Sequence, residues 1–208
     1  MCQFYSCIVT ESGEVLSDPM CDNHSEIIRH HKLDDSDTDS DAKRRAERAK
    51  FAKVEITPLC DDVFAPTNQW AFRVDESSIP AWWSAAHEKW AREELEKFLA
   101  SALLIGKEIE ELSAGRFWVK DCKIATLKGN ALIVQLWGTS QVGTMWGTSR
   151  VGEMRGTSRV SEMRETSQVG EMNDNCFAII RGDKTEIIVA DKSGFVLNNH
   201  KPAKKVKS

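Results

Sequence analysis

The clearest pattern of apolar and polar positions lies at residues 137–172, where one nine-residue unit occurs four times in tandem. The units read WGTSQVGTM, WGTSRVGEM, RGTSRVSEM and RETSQVGEM. Serine and valine stand two positions apart in each unit, as residues on one face of a short strand do. Units of this kind bury an apolar face only by stacking on one another. The pattern predicts a β-solenoid with serine, valine and methionine inside, threonine outside, and a corner around each Gly-x-Met-x-Gly segment.

The same frame continues in degenerate form on both sides of the repeats. Cys122, Ile124 and Leu127 occupy the serine, valine and methionine places upstream, and Cys176 and Ala178 occupy the first two downstream. Six or seven short coils over about residues 120–181 are therefore expected. The unit resembles half a coil of the β-roll in calcium-binding repeats-in-toxin proteins. It lacks their aspartates, so no calcium is expected.

The outward positions of the repeat are candidates for binding, and the alternative is that the solenoid is only a scaffold or spacer. The charged residues argue against the regular, uncharged face of ice-binding solenoids. Arg150 and Arg159 are the predicted binding residues of this surface. The outward rows are Thr139, Thr148, Thr157 and Thr166, with Gln141, Arg150, Arg159 and Gln168 beside them.

Before the repeats, the pattern changes along the chain from strand-like to helical. Residues 2–16 read as a β-hairpin turning at Ser12-Gly13, and Asn23 or Ser25 is placed to cap a short helix. Alternation at residues 51–57 and 69–75 predicts two more strands. A long helix is expected to begin at residues 77–80, with a kink or stop at Gly106, and Gly115 is expected to end the helical region. After the repeats, three short strands and turns are expected up to residue 198.

These patterns predict the α+β class: a small N-terminal α/β domain with a long helix, followed by a short β-solenoid of nine-residue repeats. The domain is expected at residues 1–115, and 34–48 is expected to be a mobile charged loop. The solenoid with a C-terminal cap is expected at residues 116–198, and a basic tail at 199–208.

Tryptophans are concentrated in the first domain. The helical spacing of Trp83 and Trp90 favours a core position, and the alternative is an aromatic pocket that stacks a base or another ring. Polar contacts in such a pocket would come from one arginine and one histidine. The predicted binding residues of this domain are Trp70, Arg73, Trp82, Trp83 and His87.

Cys2 is the one candidate nucleophile. If Met1 is removed, the new α-amine can act as general base for the Cys2 thiol. In this respect the Met1-Cys2 start resembles class II glutamine amidotransferases and related N-terminal-nucleophile hydrolases. No matching oxyanion or glutamine-binding motif follows. The alternative is a small strand residue that fills a gap.

Composition excludes several classes of function. The net charge of −4, from 32 acidic and 28 basic residues, is not typical of a nucleic-acid-binding protein. No apolar run approaches the length of a membrane span.

The six cysteines form no CxxC pair, as expected of reduced thiols in the cytoplasm. Adjacent His30 and His31 point in different directions on a helix, so no metal site is expected. No cofactor motif is present, and none is expected to bind.

The chain also resembles uncharacterised phage and prophage proteins. The resemblance rests on the Met1-Cys2 start, the His24 to Ile28 segment, Pro80 with Trp82, and the tandem repeats. It implies a non-enzymatic binding protein, an inhibitor or sponge of a host protein or a small nucleotide-like ligand in the host cytoplasm. The solenoid would act as scaffold or homo-oligomerisation element. The alternatives are an amidohydrolase that uses Cys2 and a structural component of a virion.

Overall fold

The computed structural model describes residues 4–34, 47–182, 184–190 and 195–198, and every structural statement below concerns these residues. The chain divides into two compact units, Met1–Ala100 and Ser101–Ser208. Cys2, nearly all of the predicted charged loop at 34–48 and the predicted basic tail at 199–208 lie outside the described residues.

The first unit is built on a four-stranded antiparallel sheet with the order β2-β1-β3-β4. Its strands are β1 (Tyr5–Thr10), β2 (Val15–Leu16), β3 (Phe51–Thr57) and β4 (Ala71–Val74). The predicted hairpin is confirmed, because β1 pairs antiparallel with β2. In β3 the alternate residues Ala52, Val54 and Ile56 are fully buried, which explains the alternation in the sequence.

Two helices accompany this sheet in the described part of the chain. Helix α1 (His24–His30) begins at the predicted cap, where the Asn23 side chain accepts hydrogen bonds from the backbone amides of Ser25 and Glu26. Helix α2 covers Ala85–Ala102. Its buried residues recur every three or four positions, as expected for one helical face; they are His87, Ala91, Leu95, Leu99 and Ala102.

The long helix predicted from residues 77–80 to Gly115 is therefore not present at that length. Trp82 and Trp83 precede α2, and strands begin directly after Ala102. The apolar run Leu103-Leu104-Ile105 fits a helical stripe, but it pairs as a parallel strand with residues 118–120. The described chain as a whole is mostly β, so the predicted share of helix was too large.

The second unit is a β-solenoid, which confirms the prediction from the repeats. It consists of two six-stranded parallel sheets, and successive strands alternate between them. Strands β5, β7, β9, β11, β13 and β15 form the odd sheet, and β6, β8, β10, β12, β14 and β16 form the even sheet. In chain order, the first six strands are β5 (Leu103–Ile105), β6 (Glu108–Leu112), β7 (Arg116–Lys120), β8 (Lys123–Leu127), β9 (Leu132–Trp137) and β10 (Gln141–Met145). The last six are β11 (Arg150–Met154), β12 (Arg159–Met163), β13 (Gln168–Met172), β14 (Phe177–Ile180), β15 (Glu186–Ala190) and β16 (Phe195–Asn198).

One turn of the solenoid takes two nine-residue units. Gln141 of β10 is paired with Arg159 of β12, and Arg150 of β11 is paired with Gln168 of β13. Cross-turn contacts therefore join residues 18 positions apart, such as Gln135 and Glu153. The solenoid makes about five turns. The three strands predicted after the repeats continue the two sheets in parallel.

The interior of the solenoid has the predicted composition. The inward serines, valines and methionines of the four units are all buried, and the degenerate residues Ile124, Leu127, Ile133 and Leu136 line the same core. The predicted position of the corner was wrong. Methionine ends each of the four repeat strands, and the chain turns two residues later, where Gly147, Gly156, Glu165 and Asp174 have φ of 67°, 74°, 56° and 56°. Glycine adopts this left-handed conformation without a steric penalty.

Candidate functional site

A cluster of tryptophans in the first unit surrounds one buried histidine. The ring centroids of Trp82, Trp83 and Trp90 lie 5.0, 5.3 and 5.1 Å from the imidazole of His87. His87 is only 6% exposed. Three of the five predicted binding residues of this domain, Trp82, Trp83 and His87, are thus brought together with Trp90, and the imidazole lies among the three indole rings.

Both ring nitrogens of His87 are hydrogen-bonded. Its Nδ1 accepts from the Ser84 amide at 3.1 Å, and its Nε2 lies 3.3 Å from the carbonyl oxygen of Glu11. A carbonyl can only accept, so the proton is on Nε2. This arrangement anchors the segment before α2 to the turn of the first hairpin. Trp90 covers the same turn, because a Cβ on Gly13 would lie 2.5 Å from its ring.

Trp70 has different neighbours from these three tryptophans. It is buried, packs edge-on against Phe4 at a centroid distance of 4.7 Å, and donates from Nε1 to the carbonyl oxygen of Ala65 at 3.0 Å. Its indole N–H is therefore satisfied by a backbone carbonyl of the same unit and is not available to a ligand.

Arg73 belongs to an ionic cluster that the sequence did not reveal. Its guanidinium lies 2.7 Å from Glu55 and 2.7 Å from Asp75, and Asp75 lies 3.6 Å from Nδ1 of His24. The antiparallel register places Glu55 of β3 directly opposite Arg73 of β4. We call His24, Glu55, Arg73 and Asp75 the His24 cluster. The only signal for it in the sequence was the alternation of charged residues on the two strands.

The predicted binding rows of the solenoid are split between its two sheets. Arg150 lies in β11 of the odd sheet and Arg159 in β12 of the even sheet, so the two do not form one row. The hydroxyls of Thr148 and Thr166 donate to the carbonyls of Gly129 and Gly147, each at 2.9 Å. The threonine rows are thus exposed, as predicted, and their hydroxyls join successive turns.

Other outward side chains also join one turn to the next. Glu153 accepts hydrogen bonds from Gln135 at 3.1 Å and from Asn173 at 2.8 Å, one turn to either side. Arg155 lies over the ring of Trp137 at 5.2 Å, and Arg164 over that of Trp146 at 4.7 Å. A shallow, open groove on the even sheet is lined by residues of β6, β8, β10 and β12, among them Glu108, Glu110, Lys123, Gln141 and Ser161.

The edge strands differ in charge. Strands β5 and β6 end the sheets on one side, and β15 and β16 on the other. Strand β6 reads EIEEL. Its Glu108 forms an ion pair with Lys123 of β8 at 3.0 Å, and its Glu111 forms one with Lys128, directly after β8, at 2.7 Å. Strands β15 and β16 read EIIVA and FVLN. One end of the solenoid is acidic and the other is almost uncharged.

Two of the described cysteines, Cys7 and Cys176, are poor nucleophiles at neutral pH. Burial raises the pKa of the Cys7 thiol, as does the charge of Glu94, and burial also raises the pKa of Cys176. A thiol with a raised pKa holds little thiolate. Cys2 lies outside the described residues, so its proposed role as nucleophile stays a prediction.

These features define the class as a β-solenoid protein with a strand-rich N-terminal unit. Comparisons with protein-family models, curated proteins and solved structures found no match to the chain. Among the residues that the structure describes, no helix has both the length and the apolar character to cross a membrane.

Proposed function

We propose that the protein is a non-enzymatic, cytoplasmic binding protein whose solenoid acts as scaffold and self-association element. The strand-rich unit carries recognition of the partner, a host protein or a nucleotide-like ligand if the protein is phage-encoded. The observation that carries the proposal is the pair of parallel sheets that end in edge strands at both ends of the solenoid.

The turns of the solenoid join through the same backbone bond each time. The amides of Gln141, Arg159 and Phe177 donate to carbonyls of the preceding turn at 2.8, 2.9 and 3.1 Å. In the described part of the chain, β5 and β6 have a strand neighbour on one side only, as do β15 and β16. An edge strand offers unpaired amides and carbonyls to any strand of matching geometry. A second copy of the chain has strands of matching geometry, so its first turn can stack on the last turn of the first copy.

Charge favours a head-to-tail arrangement over a symmetric one. Pairing β6 with β6 of a second copy would bring glutamates of both copies together, and like charges on neighbouring strands are destabilising. Pairing β6 with the last turn avoids this contact. A head-to-tail contact leaves one open end on each copy, so it generates short filaments unless it closes into a ring.

The test places one lysine on each edge in turn. Ile105 of β5 and Ile188 of β15 are 51% and 67% exposed, so Ile105→Lys and Ile188→Lys leave the core intact. A charge on an edge strand opposes pairing. The matched control is Gln141→Lys on the central strand β10, which adds the same charge at an exposed position. Sedimentation over a range of concentrations reports the size of the assemblies.

Head-to-tail pairing predicts that either edge variant alone is monomeric, that Gln141→Lys assembles as the wild type does, and that mixing the two edge variants gives dimers. In that mixture each copy keeps one working edge, so growth stops at two copies. A symmetric contact would instead be lost in only one edge variant. A wild-type chain that stays monomeric at every concentration contradicts the assembly proposal. Native mass spectrometry on the same samples identifies any retained ligand.

A further inference from the structure

We propose that His24, Glu55 and Asp75 form a divalent-cation site, with the Arg73 guanidinium as the cation that occupies it when no metal is bound. This inference concerns the first unit and stands independently of the self-association proposal.

The three side chains offer ligand atoms at suitable separations. One atom from each residue lies within 4.8 Å of the others. In a tetrahedral zinc site with bonds of about 2.1 Å, neighbouring ligand atoms are about 3.4 Å apart. Nδ1 of His24 and Oδ2 of Asp75 are 3.6 Å apart, close to that separation. Rotation of the Glu55 carboxylate would bring in the third ligand. One imidazole and two carboxylates form a nitrogen and oxygen ligand set that suits zinc.

The orientation of His24 supports this interpretation. Its Nε2 lies 3.0 Å from the carbonyl oxygen of Val54 and donates to it, which leaves Nδ1 facing Asp75 at 3.6 Å. Histidines that bind metals typically donate their other ring N–H to a carbonyl or carboxylate. His24 is only 7% exposed and stands at the start of α1, directly after the Asn23 cap. The imidazole is thus held in place before any metal arrives.

The carboxylates are also held in place. The side chain of Glu55 is only 14% exposed, and the backbone amide of Asp75 donates to the carbonyl of Lys53 at 2.8 Å. Two carboxylates this close together require a positive charge between them. Arg73 supplies it, with 2.7 Å contacts to both, but its side chain is 63% exposed. Arg73 can therefore turn outward into water when a divalent cation takes its place.

Competition between Arg73 and the metal gives the proposal a distinctive test. Full-length protein is freed of metal with a chelator and titrated with Zn²⁺ by calorimetry. Arg73→Gln removes the competing cation and should tighten Zn²⁺ binding about tenfold, a typical size for coupling between two bound groups. His24→Gln removes a ligand and should weaken binding by tenfold or more.

The matched control is His30→Gln. His30 also faces a carboxylate, with Nδ1 3.0 Å from Asp18. Its side chain is far more exposed than that of His24, and it belongs to no three-ligand group among the described residues. Its Zn²⁺ affinity should equal that of the wild type. Asp75→Asn serves as a second ligand variant if circular dichroism shows that His24→Gln does not fold.

Zinc bound by cysteines would have a different signature. Co²⁺ in the same site should show no thiolate charge-transfer band, because no sulfur is among the proposed ligands. A strong band of that kind would assign the binding to cysteine and overturn the proposal. Equal affinities in the wild type, His24→Gln and Arg73→Gln would overturn it as well. A wild type and an Arg73→Gln variant that both fail to bind Zn²⁺ would show that the cluster is only an ion-pair network.

Discussion

The buried contacts of the solenoid repeat from turn to turn, whereas those of the strand-rich unit each occur once. In the solenoid, valines and methionines recur at equivalent positions in successive turns, and each lies against its own counterparts. In the strand-rich unit each contact occurs once, such as the Asn23 cap or the imidazole of His87 between tryptophans. The stability of a stack of equivalent turns comes mainly from the interface between neighbouring turns. The stability of a core with no repeated contacts depends on every residue in it.

Buried polar groups show the same contrast. In the solenoid, Ser140 and Ser167 donate to the carbonyls three residues earlier, at 2.6 and 2.8 Å, so these two hydroxyls are satisfied within their own unit. The equivalent Ser149 hydroxyl is buried without a hydrogen-bond partner among the described residues. In the other unit, His24 and His87 bond to carbonyls 30 and 76 residues away in the chain. A hydrogen bond within one repeat unit can form again wherever the unit recurs. A hydrogen bond between residues far apart in the chain forms only when the tertiary fold brings them together.

The largest expected effect comes from a charge in a central turn. Val151 is buried in β11, and Val151→Asp leaves a buried charge without a partner, which costs about 3–5 kcal/mol. Since each turn stacks on its neighbours, this change should uncouple the turns on its two sides. Ile187→Asp, at a half-buried position in the last turn, should only fray the end. Hydrogen exchange across β9–β13 measures the difference; equal loss of protection in both variants would contradict the nearest-neighbour description.

A cavity in the unique core should come next in size. Ile56 is fully buried in β3, and Ile56→Ala should lower the free energy of unfolding by about 2–5 kcal/mol. Loss of amide protection is expected throughout β1, β3 and β4, because no equivalent residue shares the contact. Chemical denaturation together with hydrogen exchange tests this. Loss restricted to the amides next to Ile56 would show that this core, too, is divided into independent layers.

Removing a whole turn should have a smaller effect than either substitution. Excision of residues 147–164 deletes one 18-residue period and leaves odd and even strands in alternation. Excision of residues 147–155 instead removes β11 alone, so every later strand moves to the opposite sheet and pairs with strands that it does not meet in the native fold. Thermal unfolding should show a modest shift for the first deletion and a larger one for the second. The opposite order would contradict the 18-residue period.

The smallest expected effect concerns one corner of the solenoid. The amide and hydroxyl of Thr139 donate to Asp121 at 2.9 and 3.0 Å, and these bonds hold the pKa of Asp121 below its usual value. Because the folded-state pKa is the lower one, this stabilisation is complete above the unfolded pKa of about 3.9 and is lost as the pH falls through the folded pKa.

Asp121→Asn should therefore slightly lower the free energy of unfolding at pH 7 and flatten its decline in acid. Urea denaturation at pH 7 and at several lower pH values checks both effects. Glu171→Gln, an exposed change of the same charge in β13, is the control. An acid decline that is equally steep in Asp121→Asn and the wild type would rule out a role for the corner bond.

The elements that could be predicted from the sequence are those in which local pattern and tertiary contact agree. The solenoid interior was predictable residue by residue, because the same positions recur at a constant interval and each stacks on its own copies. The strands at residues 5–16 and 51–57 and the cap at Asn23 were predictable because alternation and capping are local. The domain boundary at residue 115 rested on the assumed helix, and the compact units divide at residue 100.

Contacts between residues that are far apart in the chain could be found only from the tertiary structure. The run at residues 103–105 satisfies both a helical and a strand pattern, and parallel pairing with β7 decides in favour of the strand. Alternation between two sheets separates Arg150 from Arg159, although they are equivalent in the repeat. The His24 cluster joins residues about 20 to 50 positions apart through the β3–β4 register and the packing of α1. Contacts of this kind depend on the pairing energy of whole strands, which no local pattern of residues encodes.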